Sequence, residues 1–552
     1  MPPDPSPLRQ SALWSLAPLH SLRHHGPSQL RFWIAALVIG TLAGFATVGF
    51  RIGIYRVQEW IYGSDELHLA SALSHLPWYW VLGVPMLGGL VVGLIMQRFT
   101  ADSRNRSVAH VIEGAALNGG RVEGKAGLAS AVASFITLST GGSAGREGPV
   151  VHIAALISSK FSRIMDANGV TGRDLLGCAV ASAVAASFNA PIAGAVFAME
   201  VILRHYAAHA FGPIVVSAVI GALISRLGFG DITEFTLPPH SLEFYRELPA
   251  FVLLGLVCGL TSVGLMRAIF WASDIGDTVQ TRLHIPRWVR PGISGLMLGM
   301  LAIYFPHIIG VGYETTSLAL TGQIAVTTAI SFALTKALAV AITFAGRMGG
   351  GAFSPALMMG ALTGLAFGGV ATSIFPSVSG SETLYALAGM AAIGAAVLGA
   401  PLSTSLIVFE MTGDWQLGMA VMITVAAATT IAGKFVARSF FLEQLERWNV
   451  HLAAGPQAYL LAMIPVKGLM RDNDMLVAQT KQTCALMIAE GIFITESSTL
   501  EVAFPKFEIT KQDFIPVVEI IDEPVLIGAL YQIDALTAYT DALAETAREE
   551  HS

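Results

Sequence analysis

The sequence predicts a helical membrane protein with several crossings and a small α/β module at its C-terminal end. Of its 552 residues, 54% are hydrophobic and 13% are charged, whereas soluble domains are typically about 25% charged. Glycine is frequent, with 56 residues, as the close packing of membrane helices favours. Long apolar runs recur up to residue 437 and then stop. These features exclude an ordinary soluble protein and a disordered chain.

The apolar runs are the candidate membrane segments. The first, from Phe32 to Ile54, is too long for the apolar part of a cleavable signal peptide and predicts a membrane helix. The runs cover residues 32–56, 78–97, 126–138, 149–160, 175–203, 212–227, 249–272, 291–306, 321–345, 354–374, 382–398, 401–412 and 417–437. Several are shorter than the roughly 20 residues that one crossing needs. Because broken segments survive in a membrane only when buried or lining an aqueous path, they indicate a transport site.

The charges that flank these runs predict the orientation of the chain. Arginines precede the first run, and further basic residues follow the last one. They are Arg9, Arg23 and Arg31, then Lys434, Arg438 and Arg447. The positive-inside rule therefore predicts an even number of crossings with both ends in the cytoplasm, most simply in a bacterial inner (plasma) membrane. We expect residues 1–30 to be a cytoplasmic segment and residues 31–445 to be the membrane domain.

An internal repeat divides that membrane domain into halves of about 31–230 and 245–445. Ala190-Pro191-Ile192 followed by Glu200 is repeated 210 residues later as Ala400-Pro401-Leu402 followed by Glu410. A second pair of Gly-rich loops that end in proline is offset by 206 residues. Transporters built from paired halves place their ion site where half-helix N-termini from both halves converge. The repeat alone leaves open whether the halves are inverted.

The region after Pro456 has a different character. From His451 onward it holds 6 Lys and Arg against 15 Asp and Glu, although the whole chain has a net charge of only −6. Short strand-like and helical pieces follow one another at residues 492–495, 500–507, 514–521, 525–530 and 534–541. We therefore predict a soluble cytoplasmic α/β module over residues 456–552.

The first Gly-rich loop, GGSAGREGP at residues 141–149, has the chemistry of an anion site. Gly145 precedes Arg146 and Glu147, and Gly148-Pro149 then opens an apolar helix, with Pro149 predicted at its first position. The unpaired N–H groups of such a helix start attract anions. Glu147 lies at the same end, so its carboxylate can take the anion's place and act as a gate that protonation opens. An ordinary ion pair between Arg146 and Glu147 is the alternative.

The second loop, MGGGAFSP at residues 348–355, is the counterpart in the other half. It has no charged side chain between Gly351 and Pro355, so the backbone N–H groups of Ala352 and Phe353 would coordinate the ion. A flexible glycine hinge is the alternative. The pairing of two such loops favours the ion site.

These motifs resemble those of the CLC chloride channel and transporter family. The pattern includes G-R-E-G-P, G-x-F-x-P and the Glu410-Met411-Thr412 stretch, in the family's order, over about residues 32–445. The resemblance implies an all-α fold with broken and re-entrant helices arranged as an inverted repeat. It further implies a homodimer with one path for chloride or related anions per subunit. By this resemblance Glu147 is the external gate, and the amides of Ala352 and Phe353 bind the anion.

Three departures from the family pattern bear on mechanism. Val201 stands where proton-coupled members have an internal glutamate, and Glu200 beside it points about 100° away on a helix. The family's central tyrosine corresponds to Phe441, or to Phe440 if the alignment shifts by one. Its serine loop keeps only Ser107, which either donates to chloride or lies at the surface, and His110 replaces a proline. His110 either adds pH sensitivity or is structural.

These departures favour channel-like or uncoupled chloride conduction gated by Glu147. The alternative is a chloride/proton antiporter with a substitute proton path. The tail resembles a single cystathionine-β-synthase (CBS) type module, with Val466-Lys467-Gly468 at its start. We predict pairing of this module across the dimer. Binding of an adenine nucleotide there and a purely structural role both stay open, and we expect no other cofactor and no metal.

Other classes of protein fit less well. Residues 141–145 match the G-x-S-x-G motif of serine hydrolases, but that motif needs a preceding strand, and membrane helices surround it here. No G-x-x-x-x-G-K-[ST] phosphate loop occurs, so an ATP-driven pump lacks support. A receptor without transport would not need two matched helix starts. Neither an enzyme nor a nucleic-acid-binding protein is expected, and Cys178, Cys258 and Cys484 lack metal-type spacing.

Overall fold

The computed structural model describes ten stretches of the chain. They are residues 26–64, 68–167, 169–206, 208–230, 244–376, 381–450, 452, 460–461, 464–519 and 524–550. Arg9 and Arg23, and most of the predicted N-terminal segment 1–30, lie outside them.

The first half of the membrane domain consists of long helices alternating with short ones. Its helices are α1 (Gly26–Tyr62), α2 (Leu69–Leu73), α3 (Trp78–Phe99), α4 (Val108–Leu117), α5 (Gly124–Ser139), α6 (Glu147–Ile164), α7 (Gly169–Phe188), α8 (Pro191–Phe197) and α9 (Ala208–Phe229). A π-helical turn, Ala198–Leu203, extends α8. The apolar run 175–203 is thus not one helix, since the left-handed Asn189, with φ of 54°, and Pro191 break it.

The second half has the same plan. Its helices are α10 (Phe244–Arg282), α11 (Arg290–Tyr304), α12 (Tyr313–Leu320), α13 (Val326–Ala345), α14 (Phe353–Ile374), α15 (Glu382–Leu398), α16 (Pro401–Thr412), α17 (Trp415–Phe435) and α18 (Phe440–Arg447). The predicted runs 382–398 and 401–412 coincide with α15 and α16. Gly399 separates these two helices in the left-handed conformation, with φ of 70°, which ends α15.

Seven helices in the described part of the chain are long and apolar enough to cross a membrane. They lie within 30–62, 78–99, 210–229, 246–282, 326–345, 353–374 and 415–447. Three apolar helical segments of the described chain are shorter than that, at Val108–Leu117, Pro191–Leu203 and Glu382–Leu398, the last being the deeply buried α15. The mixture of full and partial helices confirms an integral membrane protein whose broken segments are buried in protein. The number of crossings and the side on which each end lies stay predictions.

The two halves hold each other through a reciprocal pair of carboxylates. Glu200, at the end of the first half's repeated segment, accepts the backbone N–H groups of Leu402 and Ser403 at 2.9 and 2.8 Å. Glu410 accepts those of Ile192 and Ala193 at 2.9 and 2.8 Å. Each carboxylate therefore caps the N-terminus of the equivalent helix in the other half, where unpaired N–H groups favour negative charge.

The tail forms a four-stranded sheet with helices. Its strands are β1 (Arg471–Asp472), β2 (Ile494–Thr495), β3 (Phe514–Val518) and β4 (Leu526–Tyr531), in the order β1-β4-β3-β2. β3 pairs antiparallel with β4 and parallel with β2. The helices are α19 (Ala478–Ala489), α20 (Leu500–Thr510) and α21 (Gln532–Glu550). An α/β tail is thus present, while its resemblance to a CBS module stays a prediction.

Candidate functional site

The two Gly-rich loops meet through their backbones. The N–H of Gly145 donates to the carbonyl of Gly351, and the N–H of Gly351 donates to the carbonyl of Gly145, both at 2.7 Å. This is an isolated antiparallel bridge. It brings the starts of α6 and α14, one from each half, to the same place. The sequence predicted that these helix starts converge, and the bridge joins equivalent positions of the two halves. An inverted relation between the halves stays a prediction.

Glycine is required where the loops touch. A Cβ added to Gly148 would lie 3.2 Å from the Cα of Gly351, closer than side chains normally pack. Gly350 has φ of +130°, a conformation that other residues rarely adopt, and a Cβ there would lie 2.3 Å from the Cβ of Ala144. The glycines therefore serve the close approach of two backbones, and the loop at Gly350 is packed tightly rather than free to act as a hinge.

Both helices begin earlier than predicted. Glu147 and Phe353 are the first residues of α6 and α14, so Pro149 and Pro355 occupy the third positions. Proline is tolerated throughout a first turn because the N–H groups there have no partner within the helix. The amides of Glu147, Gly148, Phe353 and Ser354 thus remain as anion-attracting groups at the junction of the halves.

The carboxylate of Glu147 lies over this junction. The side chain is 5% exposed, and its Oε1 accepts a hydrogen bond from the hydroxyl of Tyr313 at 3.2 Å. Its Oε2 accepts one from the hydroxyl of Ser354, in the second loop. A Cβ on Gly145 would lie 2.8 Å from that same Oε2 and 3.0 Å from the amide nitrogen of Ser354. The carboxylate is therefore held beside the start of α14, where a free anion would also be attracted.

Arg146 supplies a buried positive charge beside the carboxylate. Its Nε lies 3.9 Å from Oε1 of Glu147, too far for a hydrogen bond. Its guanidinium instead lies over the ring of Tyr313, 4.5 Å from the centroid, and donates to the hydroxyl of Tyr55 at 2.9 Å. The side chain is held by two tyrosines, so Glu147 is not locked in a close ion pair.

A small cavity of about 20 Å³ adjoins Glu147. Its walls are apolar side chains and glycine backbone from both halves, formed by Val108, Glu147, Gly148, Val151, Val184, Phe188, Phe197, Gly351, Ala352, Phe353, Leu398 and Phe441. Such a volume is sufficient for about one water-sized particle. Phe441 lines this cavity, whereas Phe440 does not, which favours Phe441 as the counterpart of the family's tyrosine. With no hydroxyl on Phe441, that wall offers no donor.

A second cavity of about 310 Å³ is lined in part by Phe440, the neighbour of Phe441. Four arginines (Arg104, Arg290, Arg347 and Arg447) and two aspartates (Asp274 and Asp277) line it together with Ser107. Arg347 donates to Asp277 at 2.9 Å, and Arg290 bonds the same carboxylate. The lining residues carry four positive and two negative charges, so the potential in this cavity favours anions.

Ser107 lines this second cavity, and its side chain is hydrogen bonded within the protein. Its hydroxyl donates to Oε1 of Gln444 at 3.1 Å. It is also the N-cap of α4, where Nδ1 of His110 accepts the backbone N–H of Ser107 at 3.1 Å. The ring of His110 lies 4.5 Å from that of Trp448. These contacts favour the structural interpretation of His110 and give the Ser107 hydroxyl a partner within the protein. Anion binding by Ser107 stays a prediction.

The loop before Ser107 carries a further ion pair. Arg106 donates to Asp102 at 2.9 Å and lies 3.0 Å from a carboxylate oxygen of Glu123. Burial alone would raise the pKa of Asp102, but the hydrogen bonds from Arg106 and from the amide of Arg104 hold the pKa below its ordinary value. This pair fixes the loop that precedes the N-cap of α4.

Val201, where coupled family members have a glutamate, is 5% exposed and lies in the π-helical turn. Glu200 beside it is engaged by α16, since Ser403 contributes both its N–H and its hydroxyl at 2.8 Å. The carboxylate therefore already has a structural role in capping the other half.

Tyr313 and Ser354 are site residues that the sequence analysis missed. Ser354 is the variable residue of the G-x-F-x-P loop, so its position within the motif was the available signal. Tyr313 follows Gly312, whose left-handed φ of 93° turns the chain into α12. Its distance in sequence from both loops gave no signal. Ser143, of the hydrolase motif, is fully buried, and within the described residues its hydroxyl has no hydrogen-bonding partner.

Comparison with known families gives one match over most of the membrane domain. A model described as "Voltage gated chloride channel" matches residues 88–433. The chloride channel protein CLC-f of Arabidopsis thaliana is 30% identical over 423 residues, which cover 73% of this chain but only 54% of the plant protein. The voltage-gated ClC-type chloride channel ClcB of Escherichia coli is 31% identical over 413 residues, covering 72% of this chain and 95% of that protein.

Solved structures share the fold. The chain is similar to a slow cyanobacterial Cl⁻/H⁺ antiporter, with a TM-score of 0.68 and 22% identity over 76% of this chain and 98% of the other. It is also similar to a eukaryotic CLC transporter, with a TM-score of 0.66 and 19% identity over 92% of this chain and 98% of the other. At these identities the likeness is one of fold.

Proposed function

Because the chain belongs to the voltage-gated chloride channel (CLC) family, we propose that it carries chloride or a related anion across the membrane and that Glu147 gates the path. We further propose that this conduction is channel-like or uncoupled from protons.

One observation supports the assignment of Glu147 as the gate. The carboxylate of Glu147 lies at the junction of two helix starts, bound by the hydroxyls of Tyr313 and Ser354. A carboxylate and a chloride ion bind the same partners, namely N–H and O–H donors and the positive ends of helices. While the carboxylate occupies that place, an anion is excluded. When it is protonated or swings away, the donors are free to hold an anion.

The apolar residue at position 201 supports uncoupled conduction. Val201 is buried and apolar. Glu200 accepts three hydrogen bonds, from the N–H of Leu402 and from the N–H and hydroxyl of Ser403. Both carboxylate oxygens of Glu200 are thus engaged at the N-terminus of α16, and a proton carrier would have to release these donors. A proton relay through this region would therefore act against the packing of the halves.

The decisive experiment uses the purified full-length chain in sealed liposomes. An imposed chloride gradient is allowed to dissipate while chloride and proton movements are recorded together. Glu147→Gln is compared with Glu59→Gln, since Glu59 lies on an exposed part of α1 and serves as a matched control.

Each outcome selects one mechanism. Chloride flux without proton movement supports the proposal, and uphill proton movement selects the antiporter with a substitute proton path. If none of the proteins carried anions across the liposome membrane, the proposed function would be wrong.

We also propose that the protein is a homodimer in a bacterial inner (plasma) membrane, on the strength of the family and of its bacterial relatives. The exposed apolar side chains of Ile192 and Leu402, at the starts of α8 and α16, offer equivalent contact points in the two halves. Crosslinking of Leu402→Cys in native membranes tests this, because a dimer contact would give a covalent pair.

For the tail we propose a structural rather than a nucleotide-binding role. A cavity of about 600 Å³ lies between the tail and the membrane helices. Among the described residues, Glu446, Glu501 and Glu508 line it together with Arg438. This charge repels the phosphates of a nucleotide. Titration of the full chain with ATP, followed calorimetrically, would show no binding heat.

A further inference from the structure

Two hydroxyl groups face the gate, one from each side of its carboxylate. Tyr313 donates to Oε1 and Ser354 to Oε2. Both side chains are nearly fully buried, with exposures of 2% and 3%. A buried hydroxyl that loses its acceptor destabilises the protein, because its desolvation is no longer compensated, unless another acceptor takes that place. When Glu147 leaves, these two donors therefore need a new acceptor.

The positions of both hydroxyls are fixed by the surrounding structure. Ser354 is the second residue of α14 and cannot move without the helix start. Tyr313 is the first residue of α12, and a Cβ on the preceding Gly312 would lie 2.3 Å from the sulfur of Met358. The buried Lys336 holds the approach to this turn, since its Nζ donates to the carbonyls of Ile308 and Gly310 at 3.0 and 2.9 Å. The donors are thus pre-positioned and do not follow the carboxylate when it moves.

The described residues that line the small cavity carry no hydroxyl group. Phe441 has none, and the hydroxyl of Ser107 is directed to Gln444. An anion in the small cavity beside Glu147 would meet mainly apolar side chains. Dehydrating an anion is costly unless donors replace its water, and the hydroxyls of Tyr313 and Ser354 lie next to that cavity through their shared partner Glu147.

We propose that the hydroxyls of Tyr313 and Ser354 are side-chain ligands of the transported anion, holding it in the place that the Glu147 carboxylate occupies when the gate is closed. The two hydroxyls supply hydrogen-bond donors beside Glu147, whereas the cavity wall formed by Phe441 has no hydroxyl group. This inference rests on the proposed function and adds to it the two residues that determine anion affinity at that site. The ligand class is a monovalent inorganic anion that accepts hydrogen bonds, with chloride as the probe.

The test first removes the Glu147 carboxylate, so that its competition with chloride does not affect the measured chloride affinity. In a Glu147→Ala background, Tyr313→Phe and Ser354→Ala are added singly, and chloride binding to the full-length protein in detergent is measured by titration calorimetry. Tyr385→Phe and Ser217→Ala serve as matched controls. Tyr385 is buried against Phe251, and Ser217 donates to the carbonyl of Ala36 at 2.9 Å.

We expect each test variant to bind chloride about tenfold more weakly than Glu147→Ala alone, as loss of a hydrogen bond to a charged group predicts. The controls should bind as Glu147→Ala does. Each substitution deletes only one oxygen, and elution as a single sharp species on size exclusion checks folding. The two variants test the two hydroxyls separately, so a loss of chloride affinity can be measured in one variant even if the other does not fold.

Two results would overturn the inference, and they are distinguishable. Unchanged chloride affinity in both test variants, with chloride flux still present in liposomes, refutes the role of the hydroxyls and leaves the proposed function standing. Absence of chloride binding and flux in every protein, controls included, overturns the proposed function and this inference with it.

Discussion

Glu200 of the first half accepts both the backbone N–H and the hydroxyl of Ser403 in the second half, each at 2.8 Å. The equivalent carboxylate, Glu410, caps α8 in return. Charged caps at helix N-termini satisfy N–H groups that have no partner in their own helix. This exchange ties the two halves together near their repeated Ala-Pro motifs, and it gives Glu200 a structural role.

Replacing either carboxylate should therefore destabilise the protein. Glu200→Gln and Glu410→Gln each lose the charge and one acceptor oxygen, at an expected cost of about 1–2 kcal/mol. The midpoint of thermal unfolding in detergent should fall in both, while Glu59→Gln leaves it unchanged. Equal stability of Glu200→Gln and the parent chain, together with altered proton movement in liposomes, would instead give Glu200 a transport role.

The gate predicts a specific dependence on external pH. Protonated Glu147 no longer competes for anion-binding donors, so chloride flux should rise as external pH falls. Glu147→Gln removes the titrating group, and its flux should be high and independent of external pH. The measurement is chloride efflux from liposomes across a series of external pH values. Flux from the variant that still follows pH would show that another group opens the path.

With Glu147 present, the two hydroxyls should help to hold the gate closed. Each donates a hydrogen bond to the carboxylate, so Tyr313→Phe and Ser354→Ala each remove one contact, worth about 1 kcal/mol, that keeps the carboxylate over the junction. The gate should therefore be open for a larger fraction of the time, and chloride efflux from liposomes at one fixed external pH should be faster than in the parent chain. Tyr385→Phe and Ser217→Ala serve as controls, and efflux from the test variants that equals theirs would contradict the prediction.

The parts of this site that the sequence predicted are those encoded locally. Glu147, Gly351 and the repeated Ala-Pro segments could be recognised because each lies in a short motif whose residues have a physical reason to be adjacent. Tyr313 could not, because its contact with Glu147 joins positions that are 166 residues apart. The hydrogen-bonding partners of Glu200 and Ser107, which are Ser403 and Gln444, could not be predicted from the sequence either, since they lie 203 and 337 residues away. Long-range packing, rather than local pattern, decides which polar groups are already satisfied.

The meeting of the two loops offers a last test, at Gly350. Its φ of +130° is strained for any other residue, and a Cβ there would lie 2.3 Å from the Cβ of Ala144 in the opposite loop. Gly350→Ala must therefore either push the loops apart or distort the backbone that holds Gly351, and strain of this kind costs about 1–3 kcal/mol. Because the Gly145–Gly351 bridge positions the starts of both α6 and α14, displacement there should also weaken anion binding.

Gly433→Ala is the matched control, because Gly433 lies within α17 and a Cβ there would meet nothing within 4 Å. That substitution should keep or slightly raise stability, since alanine is the better helix former by about 1 kcal/mol. Thermal unfolding and chloride titration of the two variants should therefore diverge. If Gly350→Ala behaved like Gly433→Ala in both measurements, the close contact between the loops would not be what fixes the geometry of the anion site.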